Sequence, residues 1–189
     1  AILRNTWKRK SAIAQRTDHQ DFRFCDGQSA VEWFLGVYAR IHEQSWKRPE
    51  PFPEFLPRLV RMAAQYGALR FGVLTIQGVP AAAQFWLLWK GRATIFKLVH
   101  AETFSKFSPG TVLTMHMMRM VLERDCPKEI DFGRGDDTYK KMWLSSRRER
   151  WGIEAANPRT VRGLALATRI TAGLARDYLK NRFGKPNLT

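Results

Sequence analysis

The spacing of apolar residues changes several times along the chain, and each change predicts a different element. Helical spacing predicts amphipathic helices over residues 28–44, 55–66 and 161–183, and a long, largely apolar run predicts a buried helix over 111–124. Alternating or continuous apolar runs between turn residues predict strands over residues 21–25, 68–76, 80–89, 92–100, 129–132 and 150–156. This order of strands and helices predicts an α+β fold.

Short turns decide how the middle strands pair. Gln77-Gly78 and Lys90-Gly91 leave little chain between three consecutive strands, so we expect an antiparallel meander. After the strand at 129–132, a polar, glycine-rich loop over 133–137 leads to a predicted short helix over 138–144. The meander, the buried helix and the next strand therefore form one continuous unit.

The start of the buried helix has the features of an anion site. Ser108 is a good N-cap residue, and Pro109 suits the first helical position because its missing N–H costs nothing there. Gly110 lets a ligand approach the backbone closely. Since the open amides of a first helical turn attract anions, we predict a phosphate-holding unit here.

Several short motifs in this region resemble the GNAT acyltransferase superfamily, and within it the branch described as cellulose-biosynthesis-associated or Fem-like acetyltransferases. The motifs are Ser108-Pro109-Gly110, Asp131-Phe132-Gly133, Gly135-Asp136, Tyr139-Lys140 and Trp143. The resemblance covers roughly residues 24–157. It implies a GNAT-like mixed, mostly antiparallel central sheet flanked by helices, with a further helix at the C-terminus.

The resemblance also implies a function. A GNAT protein transfers an acyl group, here expected to be acetyl, from acyl-CoA to an amine, and this branch suggests an amino sugar or a surface-polysaccharide precursor as acceptor. The segment equivalent to the family's pyrophosphate cradle departs from the common GNAT signature because it has a single glycine. The implied cofactor-binding residues are Lys106, Phe107, Ser108, Pro109, Gly110 and Thr111.

The polar residues after the short strand at 129–132 are candidates for the chemistry. Acyl transfer needs a deprotonated nucleophile and an acid for the departing thiolate. Asp136 could serve as the base or hold the substrate amine, Tyr139 could protonate the thiolate, and Lys140 could pair with a donor phosphate or with an anionic group of the acceptor. Alternatively, Asp136 and Asp137 cap a helix and Tyr139 belongs to the core.

Further candidates lie outside this loop. His100 ends the third meander strand and is a candidate general base, with Glu102 as an alternative, although a single histidine at a strand end is often structural. His42 and Trp46 end the first long helix, which faces the acceptor in GNAT proteins, so the resemblance implies that they contact the acceptor. Asp131 is assigned to the substrate with them.

The net charge of +15 predicts attraction to something anionic. Basic residues gather in an N-terminal extension over 1–20, expected to be the remnant of a longer chain, and in a C-terminal helix over 158–189, on either side of a GNAT-like domain over 21–157. Two alternatives to acyl-CoA chemistry follow. One is a Fem-like transferase using aminoacyl-tRNA, and the other is a non-catalytic GNAT-shaped module that docks an anionic partner through residues 161–185.

Other classes of protein fit poorly. The chain has no run of about 18 apolar residues and no apolar core of a signal peptide near residue 1, which argues against a spanning helix and a signal peptide. Cys25 and Cys126 are far apart and have no metal-type spacing, so we expect reduced thiols in a cytoplasmic protein and no metal site. No Gly-x-Ser-x-Gly or P-loop motif is present, which disfavours hydrolases and nucleotide triphosphatases.

Overall fold

The structure is a computed structural model that describes residues 20–135, 137–141, 143–144, 146–149 and 151–183. The chain divides into two compact units between residues 145 and 146. The domain boundary predicted at residue 157 lies inside the second unit. None of the described helices is both long enough and apolar enough to span a bilayer.

The first unit contains a five-stranded sheet and four helices among its described residues. Its elements are β1 (Gln20–Cys25), a 3-10 turn (Gln28–Ala30), α1 (Val31–Glu43), α2 (Phe55–Gln65), β2 (Leu69–Ile76), β3 (Val79–Trp89), β4 (Arg92–His100), a second 3-10 turn (Glu102–Phe107), α3 (Pro109–Asp125), β5 (Glu129–Asp131) and the one-turn α4 (Thr138–Lys141). The predicted α+β order is confirmed.

The strands lie in the order β1-β2-β3-β4-β5, and only the β4–β5 pair is parallel. Both predicted hairpin turns have two central residues with positive φ, 53° and 77° at Gln77 and Gly78 and 48° and 76° at Lys90 and Gly91. Such type I′ turns match the right-handed twist of the flanking strands. The meander is therefore mostly antiparallel, as the turns predict.

The sheet is buried on both faces. The helices α1 and α2 cover one face, where Phe34, Phe71 and Phe85 are fully buried. The helix α3 covers the other face, where Trp86 and Leu113 are fully buried. An ion pair between Arg70 of β2 and Asp125 of α3 (Nε···Oδ2 2.9 Å, Nη2···Oδ1 2.8 Å) holds the end of α3 on the sheet. The position of α3 is thus fixed by packing and by charge.

The edge of the sheet opens between β4 and β5. The register pairs Arg92, Ala93 and Thr94 with β5, which ends at Asp131, so residues 95–100 of β4 continue without a β5 partner in the described part of the chain. A β-bulge lies at the same point, because β3 pairs with Ile95 and Lys97 and leaves Phe96 without a partner. Bulges bend a strand and increase its twist. The bulge and the short β5 together separate the two strands.

The second unit contains one described helix, α5 (Val161–Phe183), at the predicted bounds. The hydroxyl oxygen of Thr160 accepts the N–H of Gly163 at 3.0 Å and so caps the helix. A Cβ on Gly163 would lie 1.8 Å from the carbonyl oxygen of Asn157, so only glycine fits where the preceding loop folds back on the first turn. The loop from 157 to 160 and the start of α5 therefore form one local motif.

The strand predicted over 150–156 is wrong. Residues 151–157 form no regular element, and the side chains of Trp151 and Ile153 are 88% and 97% exposed. Alternating apolar residues form a strand only when a neighbouring strand supplies hydrogen bonds and a buried face. The structure pairs these residues with no strand in the described part of the chain.

Candidate active site

A cleft of about 620 Å³ lies where β4 separates from β5. Its walls are the unpaired part of β4, the start of α3, the loop after α1, and the loop and short helix after β5. Because β4 has no neighbour here, backbone groups of a strand edge face the cleft. The site therefore combines a free strand edge with the N-terminus of a long helix.

The start of α3 lies in this wall, with Ser108 at the N-cap position as predicted. Its conformation differs from the usual cap, because Ser108 is left-handed (φ 52°, ψ 47°) and its side chain makes no capping hydrogen bond. Instead its carbonyl oxygen accepts the N–H groups of Thr111 (3.0 Å) and Val112 (3.1 Å). Ser108 is thus the N-cap residue, and its backbone rather than its side chain makes the capping hydrogen bonds.

Gly110 brings the helix start close to β4. A Cβ at this position would lie 3.3 Å from Leu98 Cδ2 and 3.4 Å from His100 Nδ1, tighter than ordinary side-chain contacts. Pro109 precedes it at the first helical position and has no N–H, so the N–H of Gly110 lies before the first bond of the helical ladder. Gly110 therefore brings the backbone N–H groups at the start of α3 close to the edge of β4.

The structure brings only half of the predicted phosphate segment to the cleft. Ser108, Gly110 and Thr111 line it, whereas Lys106, Phe107 and Pro109 do not. The ammonium of Lys106 lies 4.9 Å from the ring centroid of Phe107. The binding of a donor by these six residues stays a prediction.

His100 and Trp46 meet inside the cleft. Their ring centroids are 4.4 Å apart, and Trp46 is 58% exposed. Burial lowers the pKa of the His100 imidazole, the Lys47 ammonium lowers this pKa further, and Glu102 opposes the shift. His100 is therefore a neutral imidazole near pH 7, the form that can accept a proton.

The loop and short helix after β5 form the opposite wall. Tyr139 and Lys140 line the cleft, while Asp136 lies outside the described residues. The ammonium of Lys140 is engaged within the loop, where it donates to the carbonyl oxygen of Arg134 and lies 3.0 Å from Asp137 Oδ2. Lys140 thus holds this loop together, and its contact with a donor phosphate stays a prediction.

Tyr139 is 47% exposed, so the alternative that places it in the core is wrong. Burial raises the pKa of its phenol, Lys140 works in the opposite direction, and Asp137 raises the pKa again. The phenol therefore stays protonated at neutral pH. A protonated phenol beside the cleft is suited to give a proton rather than to take one.

Two of the three residues predicted to contact the acceptor lie outside the cleft wall. His42 Nε2 is buried and 4.0 Å from Glu50 Oε1. Asp131 accepts the N–H of Gly133 at 2.7 Å through Oδ1, which shapes the turn after β5. Trp46 is the member of this group that lines the cleft.

Sequence reasoning missed two polar residues of the wall. Lys47 Nζ donates to the carbonyl oxygen of Leu98 at 2.5 Å, and nothing in the sequence around Lys47 indicates this contact. Gln84 on β3 is fully buried, and neither polar atom of its side chain has a hydrogen-bond partner among the described residues. The sequence did contain a signal for Gln84, which is the one glutamine in the apolar run from 80 to 89. Because burying an amide without a hydrogen-bond partner is costly, a glutamine at such a position indicates a functional role.

The described residues contain no group of three or more His, Cys, Asp and Glu side chains arranged to hold a metal ion. The expectation of no metal site stays a prediction. What the cleft does provide is a neutral imidazole, a protonated phenol and free backbone groups around one opening. This set can accept a proton from an amine, donate one to a leaving group and hold a polar ligand.

Residues 2–141 match the family model described as "Acetyltransferase (GNAT) domain". No curated protein sequence matches the chain. Among solved structures, the chain is similar to the aminoglycoside acetyltransferase meta-AAC0020 from an uncultured soil metagenomic sample, in complex with trehalose. The TM-score is 0.51 and the identity 12%, and the match covers 73% of this chain and 96% of that one.

Two further solved structures are similar. One is AAC(6')-Iy in complex with the bisubstrate analogue CoA-S-monomethyl-acetylneamine, with a TM-score of 0.52 and 11% identity over 73% of this chain and all of that one (100%). The other is a predicted acetyltransferase from Clostridium acetobutylicum with acetyl-CoA, with a TM-score of 0.53 and 12% identity over 72% of this chain and 96% of that one. At these identities the likeness concerns the fold.

Proposed function

The chain belongs to the GNAT acetyltransferase family, and on that premise we propose that it transfers an acetyl group from acetyl-CoA to an amine of a saccharide. An amino sugar or a precursor of a surface polysaccharide is the acceptor we favour. The observation that carries the proposal is the edge of β4 that pairs with no neighbouring strand in the described part of the chain, beside the start of α3. The following roles in donor binding, acceptor binding and proton transfer are assigned to the other residues that line the cleft.

The donor end of the cleft fits an acyl-CoA. A diphosphate suits the N-terminus of α3, where the N–H of Gly110 precedes the helical ladder and the helix dipole favours negative charge. An extended, amide-containing arm suits the unpaired edge of β4, because such an edge binds another extended chain through backbone hydrogen bonds. The N-terminus of α3 and the unpaired edge of β4 line the same cleft, so one acyl-CoA molecule could bind to both.

The predicted lysine contacts require side-chain movement. Lys106 lies over Phe107, and Lys140 is engaged with Asp137. A phosphate at the start of α3 would give either ammonium a stronger partner than its present one. We therefore retain both as donor contacts in the proposal, together with Ser108 and Thr111.

The acceptor end of the cleft is aromatic. Trp46 and Tyr139 are 58% and 47% exposed at its mouth, and Trp143 also contributes to the wall. Large amphipathic rings bind flat apolar surfaces, and an indole face attracts an ammonium group. The structural neighbour meta-AAC0020 is also known in complex with the aminoglycoside sisomicin, so this fold admits an amine-bearing saccharide.

We assign the proton transfers to two residues. His100, neutral at pH 7, takes the proton of the acceptor amine, and Tyr139, protonated at pH 7, gives one to the departing thiolate. The bulge at Phe96 interrupts the β3–β4 register, and we assign a backbone N–H at this bulge to stabilise negative charge on the carbonyl oxygen of the thioester. Asp136 remains the alternative base from the sequence. Asp131 and His42 would position the acceptor indirectly. Asp131 shapes the turn after β5, and His42 lies in the last turn of α1, before Trp46.

The test is thiol release from acetyl-CoA with a panel of glucosamine, an aminoglycoside and a simple alkylamine. We expect saturable release with the amino saccharides and a loss of about 10²-fold or more in kcat for His100→Gln. Lys90→Arg, in the distant β3–β4 turn, serves as the matched control and should behave as wild type. Release at the buffer rate with every amine would contradict the proposal.

A second candidate rests on the basic helix α5. Arg162, Arg169 and Arg176 are exposed and seven residues apart, so they lie along one side of the helix. Such a row suits an anionic polymer, which is the expectation both for a Fem-like, tRNA-dependent transferase and for a binding module. Tight, salt-sensitive tRNA binding without acetyl-CoA binding would favour the Fem-like branch. Reversing the charge of these three arginines should then weaken tRNA binding and reduce its salt dependence.

We also propose a cytoplasmic setting and the domain limits drawn from the sequence, with the GNAT-like domain over 21–157 between the basic segments 1–20 and 158–189. Cys25 and Cys126 are both free thiols, which suits a reducing compartment.

A further inference from the structure

Lys47 presents a primary amine inside the cleft. It follows Trp46 in the loop after α1, and its side chain crosses to β4, where Nζ donates to the carbonyl oxygen of Leu98 at 2.5 Å. Leu98 belongs to the part of β4 beyond the last β5 pair. The amine therefore lies on the strand edge to which the arm of an acyl-CoA would add, and it reaches this edge from the side of Trp46.

The surroundings of this amine favour its neutral form. Burial lowers the pKa of the Lys47 ammonium, the nearby Lys97 ammonium lowers it further, and Glu50 opposes the shift. Glu50 is itself paired with Lys97 at 2.6 Å, which limits how much of its charge acts on Lys47. His100, on which the Lys47 charge acts, is neutral near pH 7. At a given pH, more of Lys47 than of an exposed lysine carries a free lone pair.

We propose that Lys47 is an internal acyl acceptor, so that without an external amine the protein acetylates its own Lys47 from acetyl-CoA. This inference rests on the proposed donor site. The Nζ lone pair attacks the thioester carbonyl carbon, a C–N bond forms, and the C–S bond breaks. The electron pair leaves with the sulfur, and the amine's proton ends on the thiolate. The products are an amide at Lys47 and free CoA thiol, so no other reactant is needed.

Self-acetylation would change the cleft. The amide carries no charge, so the acetylated side chain no longer lowers the pKa of His100 by electrostatic repulsion. The acetyl group would also occupy space on the side of Trp46, where the acceptor is expected. Lys47 would thus compete with the acceptor.

The test is peptide mass spectrometry after incubation with acetyl-CoA and no acceptor. We expect Lys47 to be acetylated about tenfold or more faster than Lys90, because a positioned amine reacts as if highly concentrated. Lys90 is an exposed lysine at the far end of the β3–β4 hairpin and reports the uncatalysed rate. An excess of a non-transferable CoA thioether and denaturation of the protein should each reduce the rate at Lys47 to that at Lys90.

Two variants and one binding measurement separate the outcomes. Lys47→Arg should abolish the enzyme-dependent acetyl incorporation, and Lys90→Arg should not change it. Equal rates at Lys47 and Lys90 in the folded protein overturn the inference. If CoA then still binds and external amines are acetylated, the inference alone fails. If CoA does not bind, the proposed function fails with it.

Discussion

The acid-base properties of the site come from single residues held by their neighbours. Burial and the charge of Lys47 lower the pKa of His100, and Glu102 opposes the shift, so the imidazole is neutral near pH 7. An ordinary phenol is already protonated at neutral pH, and burial raises the pKa of Tyr139 further. The pKa of His100 is lowered and the pKa of Tyr139 is raised, so at neutral pH the imidazole can accept a proton and the phenol can donate one.

The first prediction concerns pH. Because the pKa of His100 is lowered from its ordinary value of 6.5, the base stays active at neutral pH, and kcat/KM should fall only as pH drops through a pKa below 6.5. His100→Gln should be slower and should lack this acid limb. The measurement is the pH profile of thiol release for both proteins. An unchanged acid limb in His100→Gln would assign the base to another group, with Asp136 as the first alternative.

At the scale of elements, the site depends on where α3 begins and ends. Its N-terminus contacts Leu98 and His100 through Gly110, and its C-terminus is tied to β2 by Arg70 and Asp125. The side chains of this ion pair are 12% and 7% exposed, so the charges are largely removed from water. Such a pair is costly to break on one side, since the remaining charge has no partner.

The second prediction follows from this ion pair. Asp125→Ala should lower the free energy of unfolding by about 3 kcal/mol, because it removes the carboxylate that balances the mostly buried Arg70 charge and leaves the guanidinium with the carbonyl oxygens of Gly67 and Leu69. The matched control is Glu32→Ala, which breaks the exposed pair with Arg61 and should change stability little. Urea denaturation measures both. Equal effects of the two substitutions would contradict the structural role of the Arg70–Asp125 pair.

The sequence predicts elements better than it predicts their pairing. The two type I′ turns, the proline at the start of α3 and the helical spacing of α5 depend on neighbouring residues, and each prediction is confirmed. The strand over 150–156 is wrong because its formation depends on a distant partner strand. The bulge at Phe96 and the early end of β5, which create the cleft, also depend on distant pairing and leave no local pattern.

The same distinction applies to the site residues. Ser108, Gly110 and Tyr139 belong to short motifs, and the structure brings them to the cleft together with His100 and Trp46. Lys47 reaches β4 by way of a loop whose path the sequence does not specify, so its contact could not be predicted. His42 and Asp131 lie outside the cleft wall and face Glu50 and Gly133, so their contact with an acceptor stays a prediction.

At the scale of the whole molecule, charge and fold serve different purposes. The net charge of +15 exceeds what one diphosphate-bearing donor requires, and part of it lies along α5 in the second unit. The described residues that line the cleft all belong to the first unit. We therefore propose acyl transfer for the first unit and contact with a larger anionic partner for the second.

The central claim is that the opening between β4 and β5, at the start of α3, binds acyl-CoA. Calorimetric titration of acetyl-CoA into the wild-type protein and two valine variants tests it most directly. We predict saturable binding by wild type and by Gly36→Val, whose new side chain meets open space, and binding weakened about tenfold or more by Gly110→Val, whose side chain would enter the contact with Leu98 and His100. Circular dichroism should show that both variants are folded. No saturable binding by wild type, or equal binding by folded Gly110→Val, would contradict the account.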